Sequence, residues 1–162
     1  MVSDPQIRDV TYIGIGELCV STTPLSSIGL GSCIGLVLHD NNRRRGGLAH
    51  IMLPNSNGRM DRPGKYADTA ICALMEELSF NRRKNGVIIA KIVGGASMFT
   101  QFSESISIGE KNIEKIRTLL KEYSIPISGE DVGGKVGRTM TYYPTNGGKI
   151  IIKRGDGSIG EI

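Results

Sequence analysis

The chain has 162 residues, of which 39% are hydrophobic and 22% charged, so a packed core is feasible and the composition argues against wholesale disorder. Twenty basic and 16 acidic residues give a net charge of +4, and with no tryptophan the sequence disfavours a nucleic-acid-binding protein. Glycine is the outlier, with 22 copies and no collagen-like period, which is typical of turns and close backbone approaches in a β-rich protein. We expect a single domain that spans residues 1–162.

The first half of the chain predicts strands joined by short turns. In chain order these are a strand at 10–16, a strand region around Cys19, a turn at 22–24, a strand at 30–38, a turn at 39–42 and a strand at 47–53. His39 is interpreted as a solvated residue of the second turn. Because the connection at 43–46 has hairpin length, we expect the strands on either side of it to pair antiparallel.

The second half predicts two helices separated by strands. Apolar residues at helical spacing indicate a helix at 63–80 and another at 109–123, and β-branched or alternating runs predict strands at 87–93, 125–128, 138–143 and 149–153. Residues 94–96 are interpreted as a tight turn. This uneven order is not a regular βαβ alternation. The sequence therefore predicts an α+β fold, with mostly antiparallel or mixed sheet and helices on its outer faces.

The sequence predicts the compartment of the protein and, from it, the redox state of its cysteines. Its apolar runs are far shorter than the roughly 20 residues that cross a bilayer, and the first residues do not resemble a signal peptide, so we expect a cytoplasmic protein without membrane insertion. Cys19, Cys33 and Cys72 should be free thiols in that compartment, with Cys19 and Cys72 as packing residues. The scattered cysteines and two histidines predict no metal site, and GLGSCIG matches neither common phosphate loop, so no cofactor is expected.

Two short basic runs, at 43–45 and 82–84, are flanked by asparagine and glycine. We interpret both as solvated loop tips. An acidic protein surface is the partner such charge suits best, because it mainly steers encounter.

One constellation in the sequence can support chemistry. Cys33 follows a glycine-rich bend, where free backbone amides around Gly31 and Ser32 can hold a developing oxyanion. His50 lies on the predicted partner strand and can activate the thiol, and Ser27 is one candidate to orient the imidazole. Taken alone, His50 fits a core histidine better than a catalytic one, and the spacing supports a structural Cys33 as well as a catalytic one. The spacing leaves both interpretations open.

Several motifs in fixed order resolve this choice by resemblance. They are GLGSCIG at 29–35, GLAHIMLP at 47–54, PGKYAD at 63–68, KIVGGASMF at 91–99, IGEKN at 108–112, EDVGG at 130–134 and GR at 137–138. Together they closely resemble the CheD family of chemoreceptor glutamine deamidases, over about residues 13–153. The chain departs from the family pattern at Ser27, where the family has threonine, and at Lys111, where the family has arginine.

The resemblance implies a cysteine hydrolase that converts chemoreceptor glutamines to glutamate and releases ammonia. It implies Cys33 as nucleophile, His50 as general base and Ser27 in the threonine's place, and it implies Phe99 and Asn112 as contacts to substrate or partner. The implied fold has two packed sheets with flanking helices, similar to the deamidating domain of cytotoxic necrotizing factor toxins. The implied partners are the cytoplasmic helices of chemoreceptors and the phosphatase CheC. The alternative is a regulatory module that binds CheC and receptors with little turnover.

Overall fold

The computed structural model describes residues 9–78, 88–97 and 107–162. Phe99 and the basic run at 82–84 lie outside these ranges. The described strands are β1 (Thr11–Tyr12), β2 (Leu18–Ser21), β3 (Leu25–Leu30), β4 (Ile34–Asp40), β5 (Arg45–Ile51), β6 (Ile88–Gly94), β7 (Ile127–Val132), β8 (Arg138–Tyr143), β9 (Lys149–Arg154) and β10 (Ile159–Glu161). The described helices are α1 (Ala67–Glu77) and α2 (Ile108–Glu122). Neither is long and apolar enough to cross a membrane.

The strands form two five-stranded sheets. The first sheet has the order β1-β3-β8-β9-β10 and the second the order β2-β5-β4-β6-β7. Each sheet contains one parallel pair, β1 with β3 and β6 with β7, and its other pairs are antiparallel. The expected α+β fold with two mixed sheets is therefore confirmed.

The sheets and helices enclose two cores. The helix-side core lies between the second sheet and the helices, and it includes Leu36, Leu38, Ile71, Leu74, Ile116 and Leu120. The inter-sheet core is built from both sheets and includes Leu25, Leu30, Val37, Leu48, Met140 and Tyr142. Strand β4 contributes to both because successive side chains of a strand point to opposite faces. A strand covered on both faces reads as a continuous apolar run, which is what residues 34–38 show.

Helix α2 follows its sequence signals closely. Ser107 caps its first turn, accepting a hydrogen bond from the Glu110 amide while the Glu110 side chain accepts from the Ser107 amide. Helix α1 begins at Ala67, four residues later than the start predicted at Pro63. The difference arises because residues 63–65 form a separate 3₁₀ turn and Tyr66 is extended, forming a bridge to Leu53.

The expectation that His39 is a solvated turn residue is wrong. β4 continues to Asp40, which pairs with Arg45, so the turn comprises only the intervening residues. His39 is fully buried, and its Nδ1 lies 2.6 Å from the hydroxyl of Tyr142 in the first sheet. This histidine joins the two sheets at the end opposite Cys33, which precedes β4.

Strand β3 is absent from the sequence prediction, which placed Ser27 merely upstream of a glycine bend. Serine and glycine have low strand propensity, so the segment gave a weak signal. It is a strand because β1 and β8 flank it in the first sheet. The Ser26 hydroxyl compensates its burial by donating to the Met140 carbonyl, at 2.8 Å. The predicted first strand likewise shortens to β1, and the strand predicted at 125–128 shifts to β7.

The side chains of the arginines at 43–45 are hydrogen-bonded within the protein, whereas the sequence predicted a solvated loop tip. Arg43 and Arg45 donate to the Leu78 carbonyl at the end of α1, at 3.3 and 2.9 Å, and Arg44 donates to the Thr145 carbonyl at 2.7 Å. Cations at a helix C-terminus are favourable because its last carbonyls lack intrahelical partners. The run therefore anchors the β4–β5 turn. Its role in steering an acidic partner remains a prediction.

Candidate functional site

The segment at 31–33, here called the nucleophile loop, connects β3 to β4. Its first amide, that of Gly31, donates to the Gly29 carbonyl at 3.1 Å, which bends the chain tightly. Gly29 has φ +72°, a conformation that glycine adopts without strain. Cys33 ends the loop immediately before β4, and its partly buried side chain packs against the inter-sheet core.

His50 comes to the same region through strand pairing. It lies in β5 opposite Gly35 of β4, two residues after Cys33 in the antiparallel pair that the sequence predicted. Like Leu48 on the same strand face, it is buried and directed towards the first sheet. Gly35 carries no side chain on this face, and a Cβ there would lie 2.2 Å from the Met140 sulfur. The pairing therefore places the imidazole next to β4, the strand that begins directly after Cys33.

Ser27 reaches His50 from the first sheet. Its hydroxyl lies 2.7 Å from the Ile13 carbonyl and 2.9 Å from Nδ1 of His50. A carbonyl oxygen can only accept, so the single hydroxyl proton goes to Ile13 and the hydroxyl oxygen accepts from Nδ1–H. This assigns the proton of the neutral imidazole to Nδ1. Nε2 then carries a free lone pair, and this atom is buried with no hydrogen-bond partner among the described residues.

Burial keeps both groups neutral. Desolvation lowers the pKa of His50, partly opposed by the hydrogen bond to the Ile13 backbone and by the charge of Glu17. Desolvation also raises the pKa of the Cys33 thiol. A neutral imidazole with a free Nε2 can accept a proton from a thiol, so the resting pair is thiol and imidazole, ready for general-base catalysis.

Two glycines at the end of β6, Gly94 and Gly95, support the nucleophile loop. The Gly95 amide donates to the Cys33 carbonyl at 2.9 Å, and the Ala96 amide donates to the Gly31 carbonyl at 2.8 Å. Gly94 has φ +115°, and a Cβ there would lie 2.2 Å from the Cys33 carbonyl oxygen. The sequence predicted only a tight turn here. In the structure this turn contacts the backbone of Cys33.

The buried Arg138 stabilises the turn at 94–95 through the neighbouring segment at 131–133. Arg138 donates to the Gly133 carbonyl at 2.8 Å and forms an ion pair with Asp131 at 3.0 Å, and Arg154 pairs with the other oxygen of the same carboxylate. The Gly133 amide in turn donates to the Gly94 carbonyl at 2.9 Å. The EDVGG and GR motifs therefore stabilise the glycine turn that contacts Cys33.

Asn112 of α2 is buried beneath the loop. Its Nδ2 donates to the Ser32 carbonyl and to the Met52 carbonyl, both at 3.0 Å. Its Oδ1 is buried without a partner among the described residues. Both of its amide protons face backbone carbonyls inside the protein. The contact with substrate or partner that the resemblance implies remains a prediction.

The structure thus brings most of the predicted site residues together. Ser27 and His50 are hydrogen-bonded, and Gly31, Ser32 and Cys33 form the adjacent loop. Sequence reasoning missed the Ile13 carbonyl. It predicted the tight turn at 94–96 but missed the contact of that turn with the Cys33 backbone, which the two consecutive glycines could have signalled. Phe99 lies outside the described residues. Within those residues, no group of three or more histidine, cysteine or acidic side chains is placed to hold a metal ion.

The other cysteines lie away from this loop. Cys19 is half-buried in β2, and its sulfur contacts the Val20 carbonyl at 3.6 Å. Cys72 is exposed on α1, with its sulfur 3.0 Å from the hydroxyl of Tyr123. The expectation of a packing thiol is therefore wrong for Cys72, because its position on α1 lies at the edge of the apolar stripe and not within it.

Comparison with known proteins gives consistent matches. Residues 52–154 match the family model described as CheD chemotactic sensory transduction. The chain is 42% identical over 152 residues to the chemoreceptor glutamine deamidase CheD of Thermotoga maritima, covering 93% of this chain and 96% of that protein. It is 44% identical over 146 residues to the probable chemoreceptor glutamine deamidase CheD of Archaeoglobus fulgidus, covering 87% and 90%. Alignments of this extent include residues 27–50, which carry Ser27, Cys33 and His50.

Proposed function

The chain belongs to the CheD family, and we propose that it deamidates glutamine side chains of chemoreceptors in the cytoplasm with Cys33 as nucleophile. The observation that carries this proposal is the hydrogen-bonded pair of Ser27 and His50, which leaves a buried, unpartnered Nε2 beside the strand that begins after Cys33. An imidazole held by one hydrogen bond, with its other ring nitrogen free, can act as general base for a nearby thiol.

The reaction proceeds in two half-reactions. His50 Nε2 takes the thiol proton, and the Cys33 sulfur attacks the glutamine carboxamide carbon to give a tetrahedral intermediate. His50 then returns the proton to the nitrogen, which leaves as ammonia and gives a thioester. In the second half, His50 takes a proton from water, the hydroxide attacks the thioester carbon, and the proton returns to the Cys33 sulfur as glutamate is released.

The nucleophile loop supplies the electrostatic part. In hydrogen bonds between described residues, the Gly31 amide is engaged with Gly29, whereas the amides of Ser32 and Cys33 donate to no other backbone group. Such amides can donate to the oxyanion of the tetrahedral intermediate, and preorganised donors of this kind contribute strongly to acyl transfer. Ser27 acts through His50 as a positioning residue, since its hydroxyl keeps the proton on Nδ1.

The pH dependence follows from the neutral resting pair. Because burial lowers the pKa of His50 below its usual value of 6.5, the free Nε2 persists into mildly acidic solution. We expect the acid limb of kcat/KM for receptor deamidation to fall below pH 6.5, with a plateau extending above pH 7 because the thiol pKa is raised. An acid limb centred above pH 6.5 would contradict a neutral imidazole as the base.

Ser27→Ala should lower kcat about tenfold and leave KM within about twofold, because a hydrogen bond to the charged imidazolium matters most in the transition state. Ser27→Thr should stay within a few-fold of wild type, since it keeps the hydroxyl. Steady-state deamidation of a receptor fragment, followed by mass spectrometry, measures both.

Ser26→Ala is the matched control for this experiment. Ser26 is the neighbouring buried serine in β3, and its hydroxyl bonds Met140 and not the imidazole. We expect this variant to lower the thermal midpoint with wild-type kcat. The same behaviour in Ser27→Ala would show that Ser27 serves the fold alone.

The direct test of the function is incubation of the protein with receptor fragments. A mass change from amide to acid at defined glutamines, absent without the protein, supports deamidation. The resemblance also predicts binding to CheC, and a regulatory module that only binds would associate with CheC or receptors without that mass change. The presence of both Cys33 and His50 favours the enzyme, because a binding module needs neither residue.

A further inference from the structure

Asn112 connects the two halves of the catalytic machinery. Its Nδ2 donates to the carbonyl of Ser32, inside the nucleophile loop, and to the carbonyl of Met52, two residues after His50. The side chain is fully buried in α2, which packs on the helix-side core. A displacement of either segment would break one of these bonds.

The orientation of the side-chain amide is fixed by its neighbours. If oxygen and nitrogen exchanged places, Oδ1 would face two carbonyl oxygens and both contacts would become repulsive. In the orientation found, Oδ1 is left buried and unpartnered among the described residues, which is unfavourable. The double donation to Ser32 and Met52 therefore outweighs the loss at Oδ1.

The bond to Ser32 also sets the direction of the Cys33 amide. The Ser32 carbonyl and the Cys33 N–H belong to one peptide unit, and no peptide bond among the described residues is cis. In a planar trans peptide the C=O and N–H point in opposite directions. Holding the carbonyl towards α2 therefore turns the Cys33 N–H away from the helix. The next peptide is fixed as well, because the Cys33 carbonyl accepts from the Gly95 amide.

We propose that Asn112 is a positioning residue, which aims the Cys33 amide at the oxyanion and keeps the nucleophile loop in register with the chain that follows His50. This rests on the proposed deamidase function. It also differs from the direct substrate contact suggested by the resemblance, because both amide protons are used inside the protein. Asn112 acts through the backbone of Ser32 and Met52.

The test replaces Asn112 in the full chain. Asn112→Ala removes both donors, and Asn112→Asp removes them while filling the same volume. We expect each folded variant to lose at least about tenfold in kcat on a receptor fragment, with KM within about twofold, since oxyanion donors act mainly in the transition state. Alkylation of Cys33 by iodoacetamide forms no oxyanion, so its rate should change by less than about threefold.

Ile116→Ala is the matched control. Ile116 lies one turn further along α2 and is fully buried in the helix-side core. This variant should lower the thermal midpoint through the cavity it creates, with wild-type kcat for the folded protein. If Asn112→Ala shows only a lowered midpoint and unchanged kcat, as in this control, the positioning role is overturned.

Nuclear magnetic resonance separates this proposal from the proposed function. In the wild-type protein we expect both Asn112 side-chain protons to exchange slowly with solvent, and the Cys33 amide resonance to shift in either Asn112 variant but not in Ile116→Ala. Fast exchange of those protons in the wild-type protein overturns the positioning role even if no variant folds well enough for kinetics, and an unmoved Cys33 amide in a folded Asn112 variant overturns it as well. A wild-type protein that fails to deamidate receptor fragments overturns the proposed function and with it the oxyanion role, even where the spectra show that Asn112 holds the loop.

Discussion

Replacing Cys33 by alanine should abolish deamidation, lowering kcat by about 10⁴-fold or more, because the covalent route to the thioester is lost while the base and the loop remain. Stability should change little, since the side chain is only partly buried. Deamidation of a receptor fragment measured by mass spectrometry, together with the thermal midpoint, gives both quantities.

The other two thiols are the controls for this prediction. Cys19→Ala and Cys72→Ala should each keep kcat within about twofold, because the Cys19 sulfur contacts the Val20 carbonyl and the Cys72 sulfur contacts the Tyr123 hydroxyl, and neither partner belongs to the proposed site. Iodoacetamide should inactivate both variants as it does the wild type. Residual turnover near the wild-type level in Cys33→Ala, or loss of turnover in either control, would reject Cys33 as the nucleophile.

Gly94→Ala should be strongly destabilising and nearly inactive. Its backbone lies at φ +115°, where an L side chain is strained, and the new Cβ would lie 2.2 Å from the Cys33 carbonyl oxygen. Relief requires the nucleophile loop to move. We expect a loss of about 3 kcal/mol, which lowers the thermal midpoint by roughly 6–12 °C, and a loss of kcat beyond what the unfolded fraction explains.

Gly157→Ala isolates the backbone strain from the collision. Gly157 also has a positive φ, +88°, but a Cβ there meets no atom within 4 Å. It should cost about 1 kcal/mol, lower the midpoint by roughly 2–4 °C and leave kcat unchanged. Equal midpoints and equal kcat for the two alanine variants would show that Gly94 does not constrain the cysteine backbone.

Much of the fold is encoded locally and was predictable. Helix α2 carries its own capping box and apolar stripe, β8 alternates buried and partly buried residues, and the short connection after β4 enforces an antiparallel hairpin with β5. These signals depend on residues within a few positions of one another. The same hairpin made it predictable that His50 would lie on the strand paired with β4, where it is opposite Gly35, two residues after Cys33.

The remainder depends on residues far apart in the chain. β3 is a strand because β1 and β8 flank it, and the buried ring of His39 is hydrogen-bonded to the hydroxyl of Tyr142, 103 positions away. The fold resemblance to cytotoxic necrotizing factor toxins and the association with CheC remain predictions.

The sequence by itself determined the residue types of the site: a cysteine after a glycine bend, a histidine on the next strand and a serine before the bend. Only the tertiary structure decided their states. The Ile13 carbonyl accepts the hydrogen bond of the Ser27 hydroxyl and so assigns the tautomer of His50. Asn112 donates to the Ser32 carbonyl and so directs the Cys33 amide. A hydrogen bond's direction depends on every partner of both groups, and those partners come together only when the two sheets and α2 pack.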